Sequence, residues 1–217
     1  MSGGMTVEVK ICGLTRAEDA AAAHAAGADW LGVVFASGPR VVTPERAAAV
    51  ARAAPGRPLL GVFGTQPVER ILEICAAAHL AGAQLHGRYT AADAVALRRA
   101  GLVVWRVVRL AGDADLEQLD ERWDVDAVLV EPRSASADGG TGRPLALALA
   151  AAARRRLGSR RMVLAGGLAP ETVAAAVGLV APDVVDVSSG VESLPGIKDP
   201  DKIGRFVEAA RGRSAVA

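Results

Sequence analysis

The feature of this sequence that most constrains its fold is an alternation, kept along the whole chain, of short apolar runs and alanine-rich amphipathic stretches. Eight runs rich in branched aliphatic residues have the length of strands: 7–12, 30–35, 58–63, 82–87, 102–108, 126–131, 161–167 and 183–190. The stretches between them have helical length, and two carry start signals. "TPERAAAVARAA" begins with threonine and proline, and "APETVAAAV" has proline and glutamate in its first predicted turn. Near-continuous apolar strands imply burial on both faces, which favours a parallel sheet covered by helices.

Eight βα units in 217 residues predict an α/β protein with a (β/α)₈ fold, the TIM barrel. A doubly wound open sheet is the alternative, but it usually has fewer strands and an early glycine-rich dinucleotide loop, which this sequence lacks. We expect a single domain over residues 1–217, with 1–6 and 212–217 as flexible ends. Hydrophobic residues make up 51% of the chain and aromatic residues 3%, so the core is expected to consist of small and branched side chains.

The charge balance and the cysteine count exclude several classes of protein. Twenty-five basic and 24 acidic residues give a net charge of +1, without the basic excess of nucleic-acid-binding proteins. Two cysteines do not make a disulfide framework in a chain of this length. The start "MSGGMTVEVK" has no apolar signal-peptide region, and no apolar run reaches the ~18 residues of a membrane helix. We therefore expect a cytoplasmic protein that binds neither nucleic acid nor membrane.

In a barrel of this kind the chemistry gathers at the carboxyl ends of the strands, and here most strands end in polar residues or glycine. Lys10 and Cys12 share one face of the first strand because side chains alternate with period two. An ammonium beside a thiol favours the thiolate, which is the basic form. The alternative is a small buried cysteine that acts only as a hydrophobic side chain. Cys75 lies on an apolar helix stripe and is expected in the core.

Glu131 ends the sixth strand directly after four apolar residues. A carboxylate at a barrel mouth is partly desolvated, which would raise its pKa and suit it to general acid catalysis. The alternative role is a salt bridge with Arg133. Arg40 follows the second strand and is suited to a bidentate grip on a carboxylate. His86 ends the fourth strand, where we favour a hydrogen-bonding wall residue over a catalyst.

The glycines after the last strands predict a phosphate site. "AGGL" and "DVSSGVE" end strands seven and eight, where barrels often bind phosphate through backbone N–H groups. A tight turn is the alternative reading of a glycine pair alone. "DGGTG" at 138–142 adds further N–H donors. No residue spacing indicates a metal site, and chemistry that needs neither metal nor dinucleotide cofactor suits an isomerase.

Taken in order, these strand ends resemble the phosphoribosylanthranilate isomerase family of tryptophan biosynthesis. The matching pieces are "VKICGLTR", "GADWLGVVFASGPRVVTPERA", "GVFGTQP", "QLHG", "GGTG", "LAGGLAPETV" and "VDVSSGVESLPGIKD". The resemblance implies an Amadori rearrangement without a cofactor, on a small phosphorylated substrate, by a monomer or homodimer. It implies Cys12 as the base, Glu131 at the position of the general acid and Arg40 as the partner of the anthranilate carboxylate. The implied substrate-binding positions are Lys10, His86, Gly140, Gly142, Gly166, Gly167, Ser189 and Gly190.

The sequence departs from the family around the sixth strand. The family usually has aspartate where Glu131 stands. After "GGTG" it usually has a lysine, then threonine or serine, and then "FDW", but this sequence has "RPLALA". A longer acid moves the proton donor by about 1 Å, which can cost about 100-fold in rate where geometry is tight. A related sugar-phosphate isomerase and a non-catalytic binder of a phosphorylated ligand are therefore the alternatives to an active family member.

Overall fold

The computed structural model describes residues 6–133 and 145–212. Parallel strands β1 to β8 close in sequence order into a barrel, so the predicted (β/α)₈ fold is confirmed. The strands are β1 Glu8–Ile11, β2 Trp30–Val34, β3 Leu59–Phe63, β4 Gly82–Leu85, β5 Val103–Leu110, β6 Ala127–Pro132, β7 Met162–Ala165 and β8 Val184–Val187. Each begins in a predicted run, but β5 continues to Leu110 instead of ending at Val108, and β6 ends at Pro132, one residue past its predicted end.

Seven α-helices cover the barrel within the described residues. They are α1 Ala17–Ala25, α2 Pro44–Ala53, α3 Val68–Ala78, α4 Ala91–Arg99, α5 Leu147–Leu157, α6 Val173–Val180 and α7 Pro200–Ala210. A 3₁₀ helix, Asp113–Asp120, stands between β5 and β6, and a 3₁₀ turn, Ser189–Val191, follows β8. A short hairpin of β9 Glu192–Leu194 and β10 Ile197–Lys198 precedes α7. No helix within residues 6–133 and 145–212 is long and apolar enough to cross a membrane.

The two predicted helix starts have different outcomes. The hydroxyl of Thr43 accepts a hydrogen bond from the backbone N–H of Arg46 at 3.3 Å, so the predicted cap of α2 is confirmed. The predicted start of α6 is wrong, because the helix begins at Val173. Thr172 first forms a turn with Ala169 through both its backbone N–H and its hydroxyl group, which leaves the proline and glutamate before the helix.

The core has two layers. The larger layer packs between strands and helices and includes Cys75, as predicted. The smaller layer fills the inside of the barrel and consists of Leu60, Trp105, Ala127, Leu129, Val163, Ala165 and Val184. Trp30 packs against it, with its ring centroid 5.1 Å from that of Trp105. These two indoles form an aromatic floor below the polar groups of the barrel interior.

Strand periodicity places the polar residues above this floor. Because alternate side chains share a face, the inward row of β6 runs from Leu129 to Glu131. The inward row of β8 likewise runs from Val184 to Asp186. The polar strand ends are therefore continuations of the apolar rows that fill the barrel.

Candidate active site

The side chain of Lys10 is enclosed inside the barrel with no exposed surface. Its ammonium group donates to Oε1 of Gln84 at 2.9 Å and to Oδ1 of Asp186 at 3.1 Å. It also lies 5.5 Å from the ring centroid of Trp105 and in hydrogen-bond contact with the thiol of Cys12. The predicted juxtaposition of ammonium and thiol is confirmed. The predicted role of Lys10 in substrate binding stays a prediction.

The pKa of the Cys12 thiol lies above its ordinary value. Burial is the largest cause, and the nearby charge of Lys10 opposes it without overcoming it. Asp186 adds to the rise, because it is a second negative charge beside the one that the thiolate would carry. Lys10 does favour the thiolate, as predicted, but burial and the charge of Asp186 outweigh its effect. The sequence pattern showed the ammonium but not the carboxylate that shares its charge.

Gly32 of β2 provides the space for this cluster. A Cβ atom at Gly32 would lie 2.8 Å from Sγ of Cys12, which is too close, and 3.2 Å from Nζ of Lys10, which is a tight contact. Sequence reasoning missed this residue. The available signal was a glycine inside an apolar strand, which often marks a close approach of other groups.

The carboxylate of Glu131 is held by two side chains, Arg109 on the neighbouring strand β5 and His86 directly after β4. Its Oε1 accepts a hydrogen bond from Nε of Arg109 at 2.9 Å and lies 2.9 Å from Nε2 of His86. Nη2 of Arg109 also donates to the backbone oxygen of His86 at 2.6 Å. The alternative of a salt bridge with Arg133 is wrong, because Arg133 pairs with Asp115. The partner of Glu131 is Arg109, its register partner across β5 and β6.

These donors lower the pKa of Glu131, contrary to expectation. Burial is the largest single influence and would raise the pKa, as predicted. The hydrogen bond from His86 and the charge and hydrogen bond of Arg109 together outweigh it. The carboxylate is therefore the favoured form of Glu131 in the unliganded protein.

Arg40 lies on the Cys12 side of the site, but its fork is occupied. Nε and Nη2 of Arg40 donate to the two carboxylate oxygens of Glu192 at 2.8 and 2.7 Å. The buried ammonium of Lys198 donates to the same carboxylate at 2.8 Å. A Cβ atom at Gly13 would lie 2.6 Å from Cδ of Arg40, so this arginine packs directly against the turn after Cys12. A grip of Arg40 on a substrate carboxylate stays a prediction.

The glycine turns after β7 and β8 are packed against their neighbours. Gly166 and Gly167 have φ of +92° and +71°, which favours glycine at both positions. A Cβ atom at Gly166 would lie 2.1 Å from Cδ of Pro132, and one at Gly190 would lie 2.0 Å from the backbone oxygen of Leu168. The two turns therefore touch each other and the end of β6.

A phosphate-binding role for these turns stays a prediction. Ser189 is exposed at the start of the 3₁₀ turn. The predicted contributions of Gly140 and Gly142 lie outside the described residues. Within 6–133 and 145–212, no group of three or more His, Cys, Asp or Glu side chains is placed to hold a metal ion.

Sequence reasoning missed five charged or polar residues that build the site. They are Gln84, Arg109, Asp186, Glu192 and Lys198. The signal for Gln84 and Asp186 was a polar residue at an inward position of an otherwise apolar strand. Glu192 and Lys198 carry no comparable signal, because their hairpin was not predicted.

The fold and the site together define a (β/α)₈ barrel that carries a thiol and a carboxylate at the end where such barrels hold their active sites. Comparison with known proteins gives the family. The model of the N-(5'-phosphoribosyl)anthranilate (PRA) isomerase family matches residues 9–209. The enzyme of that name from Pelobacter propionicus is 41% identical over 207 residues, which cover 94% of this chain and 96% of the relative.

Solved structures agree with this result. The phosphoribosyl anthranilate isomerase from Thermotoga maritima superposes with a TM-score of 0.86 at 34% identity, covering 95% of this chain and 99% of the other. A phosphoribosyl anthranilate isomerase in complex with reduced 1-(o-carboxyphenylamino)-1-deoxyribulose 5-phosphate superposes with a TM-score of 0.83, at the same identity and coverage. This chain belongs to the PRA isomerase family, as its strand ends predicted.

Proposed function

We propose that this protein converts N-(5'-phosphoribosyl)anthranilate to 1-(2-carboxyphenylamino)-1-deoxyribulose 5-phosphate, with Cys12 as general base and Glu131 as general acid. The observation that carries the proposal is the pairing of a buried thiol at the end of β1 with a carboxylate at the end of β6 in one barrel mouth. Family membership supplies the substrate, and the solved family complex contains a reduced form of the proposed product.

The chemistry needs one proton given and one proton taken. The protonated carboxyl of Glu131 gives its proton to the furanose ring oxygen, and the bond from C1 to that oxygen breaks to leave a Schiff base. The thiolate of Cys12 then removes the proton from C2, and the resulting enolamine tautomerises to the ketone. The cycle ends with a carboxylate and a thiol, the forms favoured in the unliganded site. A proton must therefore return from Cys12 to Glu131, directly or through solvent, before the next turnover.

The remaining predicted residues take binding roles in this proposal. Arg40 recognises the anthranilate carboxylate, through its remaining Nη1 edge or after Glu192 moves away. Backbone N–H groups of the turns at 166–167 and 189–190 bind the phosphate, because glycine turns at these strand ends present unshielded donors. Lys10 acts on Cys12 rather than on the substrate, since it is fully enclosed.

One observation favours a second candidate, a non-catalytic binder of the phosphorylated ligand. The donors around Glu131 favour its ionised form, which cannot give a proton. This candidate predicts product binding without turnover.

The proposal is tested by measuring the turnover of enzymatically generated substrate. The decrease in substrate fluorescence reports the rate. Cys12→Ala and Glu131→Gln are expected to lower kcat by at least about 100-fold, the usual scale of general acid–base catalysis. Gly178→Ala, at an exposed position of α6, serves as the control. Wild-type activity in Glu131→Gln would remove the acid assignment. Tight product binding without turnover by the wild type would establish the second candidate.

A further inference from the structure

Arg109 touches two residues at the acid side of the site, and nothing in its sequence context distinguishes it from a surface arginine. It lies near the end of β5, between β4, which His86 directly follows, and β6, which carries Glu131. Resting on the acid role proposed above, we propose that Arg109 is a positioning residue that clamps one oxygen of Glu131 and leaves the other to exchange the proton with the substrate.

The hydrogen bonds at Glu131 are unequally divided between its two oxygens. Arg109 and His86 both approach Oε1, each at 2.9 Å. Among the described residues, no hydrogen bond reaches Oε2. A carboxylate held at one oxygen by donors from two directions has a fixed plane. Oε2 is therefore the oxygen available to a reacting group at the barrel mouth.

The guanidinium group suits this clamp because its donors are rigidly arranged in one plane. Nε of Arg109 holds Oε1 of Glu131, while Nη2 of Arg109 donates to the backbone oxygen of His86 at 2.6 Å. The fork thus ties the side chain on β6 to the backbone at the end of β4. A lysine has the charge but not the fixed fork, so it cannot make both contacts with the same geometry.

The contacts of Arg109 and His86 also restrict the extra conformational freedom of the longer glutamate side chain. Glutamate has one more rotatable bond than the aspartate usual in the family, and a displacement of about 1 Å at a reacting group can cost about 100-fold in rate. Two donors on Oε1 restrict that freedom. The same donors stabilise the charged form, so Arg109 improves the position of the acid and reduces the fraction that is protonated. Removal of Arg109 should therefore lower kcat while the carboxyl becomes easier to protonate.

The experiment compares Arg109→Met and Arg109→Lys with Arg98→Met, a matched control whose guanidinium pairs with Asp124 at the outer surface of α4. The pKa of the Glu131 carboxyl is measured by carbon-13 NMR titration, with Glu131→Gln to assign the signal. We expect Arg109→Met to raise this pKa, Arg109→Lys to raise it less, and Arg98→Met to leave it unchanged. Because the titration needs no turnover, it tests the clamp even if the proposed activity fails.

Kinetics separate positioning from substrate binding. Arg109→Met is expected to lower kcat by about 10- to 100-fold with little change in KM, and to cost nothing further in a Glu131→Gln background, since the two residues act as a unit. An unchanged carboxyl pKa in folded Arg109→Met would overturn the clamp. An equal rise in KM in both backgrounds would overturn it as well, because Arg109 would then be a substrate contact. If Arg109→Met does not fold, the same criteria apply to Arg109→Lys.

Discussion

The carboxyl of Glu131 and the thiol of Cys12 are both shielded from solvent, yet their neighbours move their pKa values in opposite directions. Burial acts first on each group and favours its neutral form. At Glu131 the added donors of His86 and Arg109 reverse that effect. At Cys12 the ammonium of Lys10 does not reverse the effect of burial, because Lys10 also forms an ion pair with Asp186. The free protein therefore holds a carboxylate and a thiol, the reverse of the pair from which the proposed reaction starts.

This reversal predicts a broad plateau in the pH dependence of kcat/KM. The reactive pair, a carboxylic acid with a thiolate, is a constant small fraction of the protein at every pH between the two pKa values. We expect the rate to fall only below the lowered pKa of Glu131 and above the raised pKa of Cys12. The profile is measured from about pH 4 to about pH 10. A limb near neutral pH would contradict these assignments.

At the level of strands and helices, the sequence predicts the order of elements and the end of the barrel that carries the chemistry. Alternation with period two is enough to place Lys10 and Cys12 together, because they lie on one strand. It cannot show that Lys10 meets Gln84 and Asp186, since these lie 74 and 176 residues away along the chain. The pKa shifts of Glu131 and Cys12 depend on the same kind of long-range contact. Each sign depends on partners that only the closed barrel brings into contact.

Whether the contact between Arg109 and Glu131 could be predicted depended on the carboxyl end of β5. The run 102–108 was expected to end before Arg109, which then counts as a loop residue with no fixed direction. In the structure β5 continues to Leu110, and register pairing sets Arg109 beside Glu131. An error of two residues at the end of β5 was therefore enough to leave the contact between Arg109 and Glu131 unpredicted.

Gly32 allows a test of how β2 shapes the site. Gly32→Ala would place a methyl group 2.8 Å from Sγ of Cys12 in a space without room for it. We expect a loss of about 1–3 kcal/mol in the free energy of unfolding, with a loss of turnover. Gly178→Ala on α6 is the control, because a Cβ atom there meets nothing within 4 Å. It should stabilise the protein by roughly 0.5–1 kcal/mol. Urea unfolding measures both, and an unchanged stability of Gly32→Ala would contradict the close packing.

At the scale of the whole molecule, the buried carboxylates set the response to acid. Glu131 and Glu192 both have lowered pKa values, since burial at each is outweighed by hydrogen bonds from basic side chains. Their stabilisation is full above the unfolded-state pKa of about 4.3 and is lost as the pH falls through their folded-state values. The raised pKa of Asp186, caused first by burial, acts with the opposite sign.

We expect the contribution of Glu131 and Glu192 to the free energy of unfolding to decline as the pH falls below about 4.3. Urea unfolding at a series of pH values measures the decline. Glu131→Gln should flatten it, since the substitution removes one of the two titrating groups. A slope that is the same in this variant and the wild type would show that Glu131 has an ordinary pKa in the folded protein.

The pairing of β1 with β8 has a consequence for the order of events during protein synthesis. Lys10 leaves the ribosome 176 residues before Asp186, its register partner, which follows only when β8 has been made. Until then the ammonium has no carboxylate, and the barrel has an open seam beside Cys12. A chain that stops before Val184 therefore keeps its reactive thiol uncovered and lacks the charge that balances Lys10. The surroundings of Lys10 and Cys12 are completed only when β8 is in place, so incomplete chains lack the proposed active site.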